Sequence, residues 1–100
     1  MYFLRCHHTK GIFYGIQTLL NMMDMDTKAV LQASIQDVPR YPYRGLMIDV
    51  ARNFIPKKEV MKMIEVLATY KMNRLHLHLA DDEGWRLQIP GLEELTEVCF

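Results

Sequence analysis

Arg74-Leu75-His76-Leu77-His78-Leu79-Ala80-Asp81-Asp82-Glu83-Gly84-Trp85-Arg86 is the stretch that decides the fold: an apolar strand running directly into acids, a glycine and a tryptophan. Leu75, Leu77 and Leu79 alternate with His76, His78 and Ala80, the period-two pattern of a β-strand over residues 73–80. In α/β proteins the carboxyl ends of parallel strands gather ligands and catalytic groups, because the loops there stand on a rigid sheet and face a common crevice. A site is therefore expected at or just beyond Asp81.

Working outward, residues 43–50 contain the apolar run Leu46-Met47-Ile48 ending at Asp49, which reads as a buried strand rather than a half-exposed one. Pro56 suits the first turn of a helix, and Val60, Met63, Ile64, Leu67 and Tyr70 repeat at helical spacing through to Lys71. Strand, helix, strand is a βαβ unit, whose strands should be parallel and joined by a right-handed crossover. Residues 92–98 read as the start of another helix. Toward the N-terminus, Ile12, Ile16, Leu19, Leu20 and Met23 mark one stripe of an amphipathic helix over residues 11–25, closed by Asp24 and Asp26. Residues 29–35 alternate loosely, as in a short strand, and residues 36–43 carry two prolines and read as an extended connector and domain boundary. Two parallel strands and one crossover helix cover only part of each other, since parallel sheets need both faces packed. The expected architecture is a piece of a larger α/β sheet or barrel.

One hundred residues at 50% hydrophobic composition can supply one modest core. Twelve basic and twelve acidic side chains cancel, so net charge gives neither a nucleic-acid nor an anionic-membrane footprint, and a neutral or small partner is expected. Cys6 and Cys99 lack the spacing partners of a zinc motif and are read as unpaired. No run of eighteen apolar residues offers a membrane-spanning helix. Arg5, His7, His8 and Lys10 interrupt the apolar start before a signal-peptide core can form, so no export address is expected. The eight methionines fall mostly on helical stripes and read as core gap-fillers.

Arg52 lies just past the first strand and Asp81 and Asp82 just past the second. Adjacent strands stand about 5 Å apart, so a cation and two carboxylates would share one mouth. Arginine's rigid, permanently charged fork suits polar ligands, while a loop-stabilising salt bridge is the plain alternative. His76 and His78 share a face and allow a His-x-His metal pair, as in metal-dependent hydrolase barrels; a histidine on an apolar strand is more often a satisfied packing group. Asp81 and Asp82 have the chemistry of a general acid and base, but neighbours on a strand diverge, so one should face the site and the other bond loop backbone. Trp85 fits either a sugar-stacking platform or a plug over the barrel end.

Three strings, Gly15-Ile16-Gln17-Thr18-Leu19-Leu20, Pro42-Tyr43-Arg44-Gly45-Leu46-Met47-Ile48-Asp49-Val50 and the stretch from His76 to Arg86, resemble the family 20 glycoside hydrolases, the β-N-acetylhexosaminidases. Their order and separation also match, over roughly residues 11–98. The resemblance implies that residues 1–38 are the end of a small α+β domain and residues 39–100 the start of a (β/α)8 barrel, with only its first two strands. It implies that Arg52 binds hydroxyls of a terminal N-acetylhexosamine and that His78, Asp81 and Asp82 support the active site. Asn53 and Glu83 depart from the family's usual histidine and glutamine, and Cys6-His7-His8 matches nothing in the pattern.

The implied mechanism is substrate-assisted retention: the substrate's acetamido oxygen attacks its own anomeric carbon, an aspartate orients it, and a neighbouring glutamate protonates the leaving oxygen. In the family that Asp-Glu pair stands on the fourth barrel strand, so no catalytic residue is expected in this chain and no activity from it alone. Glu93-Glu94 lies on an expected helix and cannot replace the pair. No cofactor or metal is implied. The expected partners are an N-acetylhexosamine-containing glycan or glycoconjugate and the remainder of the barrel, not nucleic acid or membrane. Full-length members are commonly secreted, periplasmic or lysosomal. The readings from other classes are a metal-dependent hydrolase barrel using His76 and His78, and a non-catalytic association module.

Overall fold

The computed structural model describes residues 4–98. The element order is α1 (Thr9–Met22), β1 (Gly45–Asp49), α2 (Lys57–Thr69), β2 (Arg74–His78), β3 (Ala80–Asp81), β4 (Gly84–Trp85) and α3 (Glu94–Val98). β1 and β2 pair in parallel, with Gly45 opposite Arg74, Ile48 opposite Leu77 and Asp49 opposite His78. The Val50 amide continues the ladder onto the His78 carbonyl at 3.1 Å. The expected βαβ unit is thus present, and its register brings the carboxyl ends of both strands level.

Helix α2 starts one residue later than expected. Pro56 is its N-cap, with extended ψ, rather than part of its first turn. The Pro56 carbonyl accepts the Glu59 and Val60 amides at 2.9 and 3.2 Å, so a residue without an N–H still opens the helix. At the other end the Met72 amide reaches the Leu67 carbonyl and the Lys71 amide reaches Ala68, the two bonds of a Schellman motif. Lys71 takes the left-handed position usually given to glycine, at φ 56°. This reversal returns the chain to the sheet within three residues.

Helix α1 covers Thr9–Met22 rather than residues 11–25. Asp24 ends it early, because its Oδ1 accepts the Asp26 and Thr27 amides at 2.9 and 2.8 Å and so diverts them from the helix. The strand expected over residues 29–35 does not form. Val30 makes a single bridge to Met23, and the rest of the segment has no ladder partner among the described residues. An alternating pattern becomes a strand only where a neighbour supplies the hydrogen bonds. Residues 36–43 carry no regular secondary structure.

A polar clasp joins α1 and the connector to the βαβ unit. The Arg44 guanidinium lies over the Tyr14 ring at 5.3 Å and donates to the Lys71 and Tyr41 carbonyls. Lys71 Nζ donates to Thr18 Oγ1 at 2.6 Å and pairs with Asp37, and Asn21 donates to the Thr69 carbonyl.

β2 stops at His78 rather than running to Ala80. Ala80 and Asp81 instead pair antiparallel with Trp85 and Gly84, a hairpin turning at Asp82 and Glu83. Helix α3 is shorter than the expected 92–98.

The core is small. Its buried hydrophobics are Ile48, Val50 and Ala51, while Leu46 and Met47 of the strand expected to be buried are 43% and 55% exposed. Met25, Met61 and Met63 are exposed too, against the expectation of core methionines. Among the described residues β1 and β2 pair only with each other, so no further strand flanks them, and Leu46 and Met47 stay open. The chain exposes 8761 Å², against about 5,900 Å² for a compact monomer of this mass. Its radius of gyration is 19.1 Å, where about 13 Å is usual for 100 residues. Among the described residues no helix is long and apolar enough to cross a membrane. Cys6 is free, and Cys99 lies outside the described residues.

Candidate functional site

The site is built where β1 and β2 end. Asp49, the last residue of β1, accepts the Ala51 and Arg52 amides on Oδ1 at 3.0 and 3.1 Å, a local turn that an aspartate can make with its own following backbone. Its Oδ2 takes the Arg52 guanidinium at 2.6 Å. The Arg52 amide, followed by its guanidinium and the Ala51 amide, holds Asp49 below the usual carboxylate range against the opposing effect of burial. One residue therefore both turns the chain and aims the arginine.

Across the mouth, Asp81 Oδ2 meets Arg52 Nη2 at 2.5 Å and His78 Nε2 at 2.6 Å. Hydrogen bonds from the Asp82 side chain and amide, then from His78, keep Asp81 well below the usual carboxylate range, with Arg52 adding attraction. Because Asp81 is ionised, the His78 ring nitrogen is the donor in their bond. Glu83 Oε2 completes the set at 3.3 Å from Arg52 Nε. Arg52 is 48% exposed, so the pairs sit at the rim of the mouth rather than under it. Screening by water keeps each worth little in stability.

Asp82 departs from the sequence expectation. Its side chain does not turn to loop backbone but meets the carboxyls of Glu83 and Asp81, and sharing a proton with them pushes its pKa up to about 6. The hairpin places the three acids at one tip, with a ligand oxygen from each within 4.8 Å of the others. Neither His76 nor His78 joins that group; His76 is exposed, and His78 is committed to Asp81. Trp85 is half-buried, its indole Nε1 donating to the Leu87 carbonyl at 2.6 Å.

Arg52, His78, Asp81 and Asp82 are thus brought to one place by the parallel register and the hairpin. Two contributors had no signal strong enough to single them out. Glu83 reaches Arg52 only because the hairpin folds back. Arg86, two residues beyond Gly84, bonds the backbone between Asp49 and Arg52.

Polar groups converging on the carboxyl ends of two parallel strands joined through a helix define the opening βαβ unit of an α/β enzyme barrel. The family model described as glycosyl hydrolase family 20, catalytic domain, matches residues 41–100, and the chain belongs to that family. The N,N'-diacetylchitobiase of Vibrio harveyi is 54% identical over 95 residues, covering 90% of this chain and 11% of that protein. An inactive variant of the family 20 exo-β-N-acetylglucosaminidase of Vibrio harveyi superposes with a TM-score of 0.82 at 42% identity, covering 89% of this chain and 15% of that one. A Streptomyces plicatus β-hexosaminidase variant in complex with its product, GlcNAc, superposes at 0.78 with 38% identity, covering 87% of this chain and 19% of that one. The fold is accordingly part of a (β/α)8 barrel, preceded by α1 and its connector. The chain spans 10–13% of the length of three curated relatives that it matches.

Proposed function

We propose that this chain forms one wall of the sugar-binding site of a β-N-acetylhexosaminidase, the wall that holds a terminal non-reducing N-acetylhexosamine. The observation that carries the reading is Arg52: half exposed, oriented by Asp49 and Asp81, and standing where the two strands end. A guanidinium so held offers fixed donors to sugar hydroxyls, and fixing the donors beforehand reduces the ordering cost of binding. His78 orients Asp81, and Asp82 with Glu83 completes the polar rim. The proposed partner is a glycan or glycoconjugate rather than nucleic acid or membrane, in keeping with the balance of twelve basic and twelve acidic residues. The remaining strands of a barrel are the proposed cover for the exposed faces of β1 and β2.

The family's Asp-Glu pair belongs to a later strand, so the chain by itself is proposed to bind without hydrolysing. Incubation with a chromogenic N-acetylglucosaminide tests this, and turnover at an enzyme-like rate overturns it. Titration of the isotope-labelled chain with N-acetylglucosamine tests the binding wall. Shifts concentrated at Arg52, Asp81 and Asp82 are expected, and a saturating titration that leaves all three unmoved defeats the reading.

A further inference from the structure

Arg86 follows the β3–β4 hairpin, and its guanidinium reaches back to the backbone after β1. Its Nε donates to the Val50 carbonyl at 3.0 Å and its Nη2 to the Ala51 carbonyl at 3.1 Å. The guanidinium also stacks over the Phe54 ring, 5.4 Å from its centroid. Val50 and Ala51 are two of the buried hydrophobics, and their amides are already engaged by the His78 carbonyl and the Asp49 carboxylate. Arg86 thus satisfies the carbonyl side of a buried turn whose amide side is held by β2 and Asp49. A buried carbonyl without a donor is costly, so this bond is a constraint on where the turn can sit.

Gly84 makes the approach possible. A Cβ there would lie 2.5 Å from the Ala51 carbonyl oxygen and 2.9 Å from Arg86 Nη2, closer than real side chains come. The residue that follows the clamped pair is Arg52. Arg52 is therefore fixed from two directions, by Asp49 through its own amide and guanidinium and by the hairpin through Val50 and Ala51.

We propose that Arg86 is a positioning residue for Arg52: its guanidinium clamps the Val50 and Ala51 carbonyls and so sets where the Arg52 fork stands at the mouth. The consequence for ligand binding rests on the reading of Arg52 as the sugar contact. The clamp itself does not. Arg86 acts through the main chain, by way of the Val50 and Ala51 carbonyls.

The test uses the full isotope-labelled chain with Arg86→Lys and Arg86→Met. Lysine keeps the charge but cannot fork across two carbonyls; methionine keeps the stem alone. In both variants the Ala51 and Arg52 amide order parameters should fall from about 0.85 to below about 0.6. Hydrogen exchange at Leu46, Ile48 and Leu77 in the paired strands should stay as in the parent. Loop order unchanged in both variants overturns the proposal. So does a loss of sheet protection in Arg86→Lys in step with the loop, because Arg86 would then hold the fold and not the arginine. Titration with N-acetylglucosamine separates the two readings. Shifts at Arg52 that weaken in both variants support the clamp and its consequence together, whereas a loosened loop in a chain that never bound the sugar removes the sugar role and leaves the clamp.

Discussion

Asp82 is the residue whose behaviour follows most directly from its surroundings. Its carboxyl shares a proton with Glu83 and then Asp81 and is pushed up to about 6, whereas an unfolded aspartate titrates near 3.9. The protonated form is favoured in the hairpin, so its contribution is fully present below about pH 4 and is lost as the pH rises through about 6. Asp81 has the opposite sign: its pKa is depressed, so its contribution holds above the unfolded value and is lost on acidification. Carboxyl NMR should therefore give Asp82 a midpoint near 6 and show amide exchange at Glu83 and Gly84 speeding up as that proton leaves. Asp82→Asn should abolish the change; a parent midpoint near 4 would count against the shared proton. Asp49→Ala removes the acceptor for two amides and a guanidinium at once. It should free the Arg52 side chain while β1 keeps its pairing, which exchange at Ile48 would check.

At the scale of elements, the hairpin depends on a residue with no side chain. Gly84→Ala would drive a methyl group into the Ala51 carbonyl oxygen, and a backbone atom cannot rotate away. Overpacking of this kind costs about 1–3 kcal/mol, read as a lowered denaturation midpoint and loss of the Arg86 N–H to Leu79 carbonyl bond. At the far end of the unit, Lys71 combines a left-handed turn with bonds to Thr18 and Asp37. Lys71→Gly should ease the turn of α2 and release α1, so that α1 amides exchange faster while α2 amides do not. Loss of protection in both helices together would contradict that division. The helices and both parallel strands were legible from spacing, because the apolar periods of α1, α2 and β2 are unbroken. The β3–β4 hairpin was not. Asp82-Glu83 carries neither the glycine nor the asparagine that marks a tight turn, and acids in a row read equally well as the exposed end of a strand. The strand expected over residues 29–35 failed for the converse reason, a pattern without a partner.

At the scale of the whole molecule, the exposed area decides the outcome. With 8761 Å² exposed, the chain buries about half of the roughly 17,000 Å² that its unfolded form would present, whereas even a 60-residue domain buries about 60%. Denaturant sensitivity scales with the area newly exposed on unfolding. The isolated chain should therefore unfold over a broad range, with a urea m-value below about 1 kcal/mol/M, and bind a hydrophobic dye before it unfolds. A steep, single transition would show that a second layer forms in solution. That β1 and β2 pair only with each other among the described residues is also why the sequence misjudged burial: Leu46 and Met47 have the composition of a strand packed on both faces, but composition records what a residue is suited to, not what stands against it.

The sequence by itself determined the order of strand, helix and strand, the parallel pairing, the family, and the place along the chain where polar groups would gather. Each of these follows from local periodicity or from a contiguous motif, and neither needs a distant residue to be read. Only the tertiary structure decided which atoms meet: that Asp81 takes both His78 and Arg52, that Asp82 turns to other carboxyls rather than to backbone, and that Arg86 reaches back 36 and 35 positions to Val50 and Ala51. Those contacts arise because the parallel register sets Asp49 beside His78 and the hairpin then folds over both, a coincidence of position that no spacing along the chain encodes.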